Sequence, residues 1–280
     1  MTDISVIVLT KDEEKHMPRF FEKLAPLEPR EVFLVDCLST DRTKEIAESH
    51  GAVVIPHAWP GLYAVQFNWA LDNCPVTSKW VLRLDADEYL EPATIERLKE
   101  FISRTPVQDA GSSDEVTGLT LELRRVFMGG VIHHGTNGIR LLRVWQKGCC
   151  RIEEREMDEH MMLLRGKQID FDGAFYDDNL MSFEVWKSKH YVYARKEANN
   201  YFQTFSHPER VKNPSPTDLL KFKYYRAPRY LRAFGYFCIR YFLKGGFLDG
   251  IAGWRWHFWQ GLWYRWLVDR EIGSLREVRA

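Results

Sequence analysis

VLRLDADEYL, residues 81–90, begins as a buried strand and ends in acid. Asp85, Asp87 and Glu88 follow directly on Val81-Leu82-Arg83-Leu84. Carboxylates this close repel and raise one another's pKa unless a cation sits among them. Working outward from this stretch, the flanking chain reads as alternating strands and helices. Ile4–Thr10 is a short β-rich run, and Asp12–Ala25 carries Met17, Phe20, Phe21 and Leu24 at helical spacing. Glu31–Asp36 is a second strand. Ser39-Thr40-Asp41 caps a helix ending near His50, with Gly51 as its C′ residue. Ala52–Pro56 is a third strand, Leu62–Asn73 a third helix and Trp80–Leu84 a fourth strand. Pro92 starts another helix, to about Arg104, with Glu88 as a helix-favouring charge ahead of it.

Such alternation predicts an α/β fold with a mainly parallel, doubly wound sheet. Ligands of these sheets lie beyond the carboxyl ends of the strands. Thr10-Lys11, Asp36 and the Asp85/Asp87 pair all fall at such ends. Two carboxylates at positions i and i+2 of a strand end can face one way and share a hard divalent ion, Mg²⁺ or Mn²⁺, that also takes phosphate oxygens. The plainer reading is a solvated acidic turn ahead of a helix, and the residues of this one turn leave both open.

The 280 residues carry 39 Lys+Arg and 39 Asp+Glu, so net charge offers no general pull toward nucleic acid. Five cysteines without a C-x-x-C pair fit reduced thiols rather than a disulfide framework or zinc ribbon. The first strand is too short and too closely followed by acid to be a signal peptide. No run of apolar residues is long enough for a spanning helix.

SVIVLTKDEE, DCLSTDRT and LDADE, at this spacing, together resemble the inverting family 2 glycosyltransferases of the GT-A (Rossmann-like) fold. The resemblance covers residues 1 to about 100. It implies a nucleotide-sugar-binding half over 1–104, an acceptor-binding and catalytic half over 105–205, and a helical, aromatic-rich extension over 206–280. Carried over, Thr10 and Asp36 contact the nucleoside, Asp85 sits near ribose and metal, and Asp87 binds the metal bridging the donor's diphosphate. Gln66 and Asn68, on the helix before the D-x-D strand, border the donor or are simply polar residues of a packed helix. Arg83 pairs with a phosphate or with Asp85. The family's Glu-Asp base pair finds its counterpart in EREMDEHMM, in reversed order, so Glu159 is the first choice as base and Asp158 the second, with His160 beside them.

His133, His134 and Gly135 either line the acceptor side or form a turn, since their spacing matches no zinc signature. Arg140 and Arg143 lie on a strand that can reach a phosphate, and His190, on a later helix, reads as a satisfied surface histidine. Residues 221–266 are unlike the rest, with 17 aromatics, nine Lys/Arg and one acid, Asp249. Rings interleaved with cations suit a membrane interface, at about 1 kcal/mol per basic residue near an anionic surface, although an aromatic core is the alternative. FLKGGFLDGIAGW (242–254) also looks like the tail of family 2 members of bacterial surface-polysaccharide pathways.

The expectation is a metal-dependent glycosyltransferase, peripheral on the cytoplasmic face of the inner membrane. It takes a nucleotide-sugar donor, a UDP-sugar, and a glycan or lipid-linked acceptor in polysaccharide or lipopolysaccharide synthesis. The rivals are a D-x-D phosphatase-type phosphotransferase and a catalytically inactive membrane-bound scaffold.

Overall fold

The computed structural model describes residues 1–105, 115–136, 138–153, 160–206 and 216–279. The chain forms two compact units, Met1–Arg124 with Gly138–Leu180, and Arg125–Asn137 with Met181–Ala280.

The first unit is built on β1 (Thr2–Thr10), α1 (Met17–Leu24), β2 (Pro29–Asp36), α2 (Thr43–Ser49), β3 (Val53–Pro56), α3 (Tyr63–Asn73), β4 (Trp80–Arg83), β5 (Glu88–Leu90) and α4 (Pro92–Arg104). It continues through β6 (Val116–Phe127) as far as Arg124, and then β8 (Ile139–Gln146), β9 (Cys150–Ile152), β10 (Met161–Leu163) and β11 (Lys167–Asp177); the end of β6 pairs with β7 (Gly130–Ile132), both in the second unit. Among the described residues the main sheet runs β3-β2-β1-β4-β8-β6-β11-β5, and β9 and β10 form a separate antiparallel ribbon. The strands from β3 to β4 are parallel. From β8 onward the pairing is antiparallel, as in β4 with β8 and β5 with β11. The fold is therefore an α/β fold of GT-A type with a mixed sheet and a helical, aromatic-rich C-terminal region.

Alternation along β1 decides which helices cover which face. Ile4, Val6 and Val8 share one face with Met17, Phe20 and Leu24 of α1 and Ile95, Leu98 and Ile102 of α4. Ile7 points the other way, packing with Phe33 and Val35 against Ala64, Phe67 and Ala70 of α3. Each fully buried side chain of this size contributes roughly 1.5–3 kcal/mol, so a one-residue slip of β1 would forfeit both faces at once. The register places Thr10 opposite Asp36 and Ile7 opposite Arg83. The ends of β1, β2 and β4 thus open on one edge.

One local expectation needs correction. Glu88 does not start a helix but begins β5, and it is buried. Pro92 does open α4 as expected.

The second unit holds α5 (Phe183–Asn200), α6 (Pro216–Arg226), α7 (Leu231–Cys238), α8 (Gly250–Trp256) and α9 (Tyr264–Arg279). Ala194 and Ala198, one turn apart on α5, let Tyr264, Leu267, Val268 and Ile272 of α9 approach closely. Charge sits inside this unit: Glu197 accepts hydrogen bonds from Tyr264, Tyr225 and Arg265 at 2.7, 3.0 and 2.6 Å. Buried Arg232 pairs with buried Asp269. The helices widen into π-type turns at Ile239–Leu243 and His257–Trp263. Among the described residues no helix is long and apolar enough to cross a membrane.

Candidate active site

At the open edge of the first unit, the loops after β1 and β2 are stitched together. Thr10 Oγ1 donates to Asp36 Oδ1 at 3.1 Å, while Asp36 also accepts from Ser39 N at 2.8 Å and Ser39 Oγ at 2.5 Å. Asp12 Oδ1 accepts from Thr40 N at 2.7 Å, and Glu14 N donates to Asp41 Oδ2 at 3.0 Å. Asp12 (φ 54°) and Leu38 (φ 59°) both adopt the left-handed conformation within these loops. Backbone held there against its preference is a feature of functional edges. Asp36 is buried and occupied with closing its own turn, which leaves it little capacity toward a ligand.

The D-x-D turn follows β4. Asp85 N donates to Glu88 Oε2 and Glu88 N to Asp85 O, both at 2.9 Å, so the turn is closed by Glu88 in both directions. The other Glu88 oxygen accepts from Arg143 at 2.6 Å. Burial, opposed by Arg143 and aided by the Asp85 charge, pushes the Glu88 carboxyl up to about 8. Tyr63 donates to Asp85 Oδ1 at 2.7 Å, and Arg83 lies 3.9 Å from Oδ2 with its guanidinium 4.7 Å over the Tyr63 ring. Burial works against ionisation of Asp85, but Arg83, Arg143 and the Tyr63 hydroxyl outweigh it and hold the carboxyl below its ordinary value.

Asp87 is set from a different direction. Asn179 Nδ2 donates to Asp87 Oδ2 at 2.7 Å, and Asp178 N donates to Asp87 O at 3.0 Å. Asp178 is fixed in turn by Arg19 at 2.7 Å and by Tyr89 at 3.4 Å. His16 Nε2 accepts from Leu180 N at 3.0 Å. The end of β11 therefore braces the turn that the end of β4 begins.

Among the described residues no cluster of three or more His, Cys, Asp or Glu encloses a metal position. The turn instead offers two carboxylates, one of them about a third exposed. Among the described residues Asp87 Oδ1 accepts no hydrogen bond. Two protein oxygens with the rest of the shell left to phosphate and water is how a Mg²⁺-like ion is commonly held. The donor set fits such an ion and not a closed structural zinc site.

Other residues singled out in the sequence fall elsewhere. Gln66 is fully buried, bonded to His57 Nδ1 at 2.6 Å and to Cys37 Sγ at 3.2 Å, and supports the Asp36 turn from below. Asn68 pairs with the backbone of Ile152 in both directions, at 2.9 and 3.0 Å, fixing β9 at the point where it leads into residues 154–159. Asp158 and Glu159 lie outside the described residues. His160, exposed, accepts from Glu153 N through its carbonyl at 3.0 Å. Arg140 bonds to Thr120 O at 2.9 Å and to the Phe171 carbonyl, so it serves the sheet. In the second unit, His133 N and His134 N donate to Asp249 at 2.9 and 2.8 Å, and the His134 ring meets the same carboxylate at 2.6 Å. A Cβ on Gly135 would fall 2.3 Å from the His257 ring. His190 is satisfied, by Trp186 O and Gln260 at 2.8 and 3.0 Å, but it is buried rather than on the surface.

Sequence reasoning took Glu88 for a charge ahead of a helix and offered Arg143 to a phosphate rather than to Glu88, and it passed over Tyr63, Arg19, Asp178 and Asn179. Only the last two carried a signal: FYDDN (175–179) repeats the pattern of a strand running into acid.

An α/β sheet with acidic and hydroxyl side chains gathered at its carboxyl edge has the makings of a ligand site. Residues 5–143, from β1 into β8, match the model for glycosyl transferase family 2. The chain belongs to that family and is a glycosyltransferase. An uncharacterized glycosyltransferase of Rickettsia typhi is 27% identical over 267 residues, covering 90% of this chain and 82% of its own length. The lipopolysaccharide core biosynthesis glycosyltransferase LpsC of Rhizobium meliloti is 28% identical over 52% of this chain and 51% of its own. Staphylococcus aureus TarS (residues 1–349) is 16% identical, covers 99% of this chain and 92% of its own, and superposes with a TM-score of 0.44, too low to bear on function.

Proposed function

We propose that the chain transfers a sugar, with inversion at the anomeric carbon, from a UDP-sugar to a glycan or lipid-linked acceptor in bacterial surface polysaccharide or lipopolysaccharide synthesis. The observation that carries this reading is the D-x-D turn. Asp85 and Asp87 stand at the open edge of a family 2 sheet, one aligned by Tyr63 and Arg83 and the other by Asn179. In this reading Asp87 and Asp85 hold Mg²⁺ or Mn²⁺. That ion, when bound, supplies charge neutralisation for the departing diphosphate. Thr10 and the Asp36 turn border the nucleoside, with Asp36 acting through the shape of its turn. Glu159, or Asp158, takes the proton of the acceptor hydroxyl as its oxygen bonds to the anomeric carbon and the bond to the diphosphate breaks. The LpsC likeness supports a lipopolysaccharide-type acceptor. The cationic, aromatic stretch 221–266 supports peripheral attachment at the cytoplasmic face of the inner membrane.

A thermal-shift screen of nucleotide sugars with and without Mn²⁺ tests this directly, because a ligand that binds only the native state raises the melting temperature. A shift is expected with a UDP-sugar and only when Mn²⁺ is present. NMR of the product should then show the anomeric configuration opposite to the donor's. Retained configuration, or no shift with any nucleotide sugar, would overturn the reading.

A further inference from the structure

The stretch that begins with α7 is amphipathic in the sense opposite to that expected beside water. Over residues 231–243, Arg232, Ala233, Phe237 and Arg240 are buried, while Leu231, Phe234, Phe242 and Leu243 are exposed. The two arginines are used internally, Arg232 against Asp269 and Arg240 Nε on Gly135 O at 3.2 Å. The following turn and α8 continue the pattern, with Leu248 and Ile251 on the outside and Gly253 and Trp256 inside. Exposure reaches 81% at Leu243 and 71% at Ile251. Ring contacts tie the two segments into one surface: the Trp254 ring lies 5.9 Å from Phe237 and 5.6 Å from Tyr241.

This surface is preformed. A Cβ on Gly246 would fall 2.3 Å from the His257 ring, and one on Gly253 only 2.1 Å from the Gly246 carbonyl oxygen. The turn and α8 therefore touch backbone to backbone, which only glycine permits. Asp249, the one acid of residues 221–266, is turned inward: its side chain is 3% exposed and engaged by His133 and His134. Lys223, Arg226, Arg229 and Arg255 are exposed in the same stretch. The stretch thus exposes large apolar side chains and cations, while its one acid is turned inward.

A contiguous apolar face of this kind marks an interaction site. A cationic rim without carboxylates is complementary to anionic headgroups. We propose that residues 231–254 form a rigid wedge that enters an anionic phospholipid leaflet, with Leu243, Leu248 and Ile251 among the acyl chains and Arg226 and Arg229 at the phosphates. The inference rests on the peripheral attachment put forward above and deepens it by naming the lipid class and the inserting side chains.

The test is co-sedimentation of the full chain with vesicles of pure phosphatidylcholine and of an equimolar phosphatidylcholine–phosphatidylglycerol mixture. Wild type is compared with Leu243→Asp/Ile251→Asp and with Arg226→Glu/Arg229→Glu. Both pairs are exposed, so unchanged melting curves are expected and serve as the folding control. Wild type should bind the anionic vesicles, and each double variant should lose roughly tenfold or more in partitioning. If wild type binds and Leu243→Asp/Ile251→Asp binds equally well, the wedge is wrong while peripheral attachment stands. Absence of wild-type binding to either vesicle would overturn both. Dimerisation in solution that Leu243→Asp/Ile251→Asp abolishes, without vesicle binding by wild type, would assign the face to a second copy and overturn the wedge.

Discussion

The two units use charge and apolar surface differently. In the first, the helix-packed faces of the sheet are largely apolar, a buried charge pair is kept to Glu88 and Arg143 beside the site, and polar side chains collect where strands end. In the second, Arg232, Asp269, Arg240 and His257 are buried, while Leu231, Phe234, Phe242, Leu243, Leu248 and Ile251 face out. The first arrangement exposes chemistry to a small, charged ligand. The second leaves apolar side chains outside, which the proposed insertion into a lipid leaflet would cover.

The largest effect expected from this contrast is on stability. Asp269 is fully buried and accepts from Arg232 Nε and from Tyr230 N, each at 2.8 Å. Asp269→Ala strands a buried guanidinium and should cost about 3–5 kcal/mol in denaturant unfolding. By comparison Arg42→Ala, which removes the exposed pair with Glu45 in the first unit, should melt as wild type does. Equal effects of the two substitutions would contradict the sequestration of the Arg232–Asp269 pair from water.

A second prediction sharpens the picture of the first unit. Asn179→Ala removes the 2.7 Å hydrogen bond to Asp87 Oδ2 without touching the turn's backbone. Losing a group that orients a ligand carboxylate typically costs 10–100-fold in metal affinity. The Mn²⁺ concentration for half-maximal transfer should rise by roughly tenfold, with little change in rate at saturating Mn²⁺. A fall in saturated rate with unchanged Mn²⁺ dependence would place Asn179 on the substrate instead.

The smallest effect concerns His257. Burial, with the Arg240 charge second, pushes its imidazole down to about 4. The unfolded chain takes up this proton near pH 6.5 while the folded chain does not. The stabilising contribution is therefore complete above that pH and is lost as pH falls toward 4. An NMR titration should find the His257 ring neutral through pH 5 to 7. An ordinary imidazole titration would show that the interior of the second unit is wetter than its packing implies.

Much of the first unit is legible in the sequence because its signals are local. Helical spacing in Met17-Phe20-Phe21-Leu24, the run before Asp36 and the proline at residue 92 each specify their own element. Glu88 is not legible, because its strand exists only through pairing with Phe175–Asp177, far along the chain. Asn179 escapes notice for the same reason: its role is set by a neighbour 92 residues away. Asp36 stands where strand-end reasoning puts it, but the carboxylate turns back on Thr10 and Ser39. Counting rings and cations in residues 221–266 leaves core and interface equally open. Burial divides them, with Phe222, Phe237, Trp256 and Tyr264 inside and Phe234, Phe242, Phe247 and Trp254 outside.

The proposed role of the D-x-D turn is to hold a divalent ion for a nucleotide diphosphate. Calorimetric titration of UDP into wild type and Asp87→Asn, each with Mn²⁺ present, tests it most directly. Asp87→Asn keeps the side chain's size and its place beside Asn179 while removing the charge. The account predicts binding to wild type that weakens by roughly 100-fold or more in the variant, with the melting temperature unchanged. Equal binding of UDP by the two proteins, or binding to wild type indifferent to Mn²⁺, would contradict it.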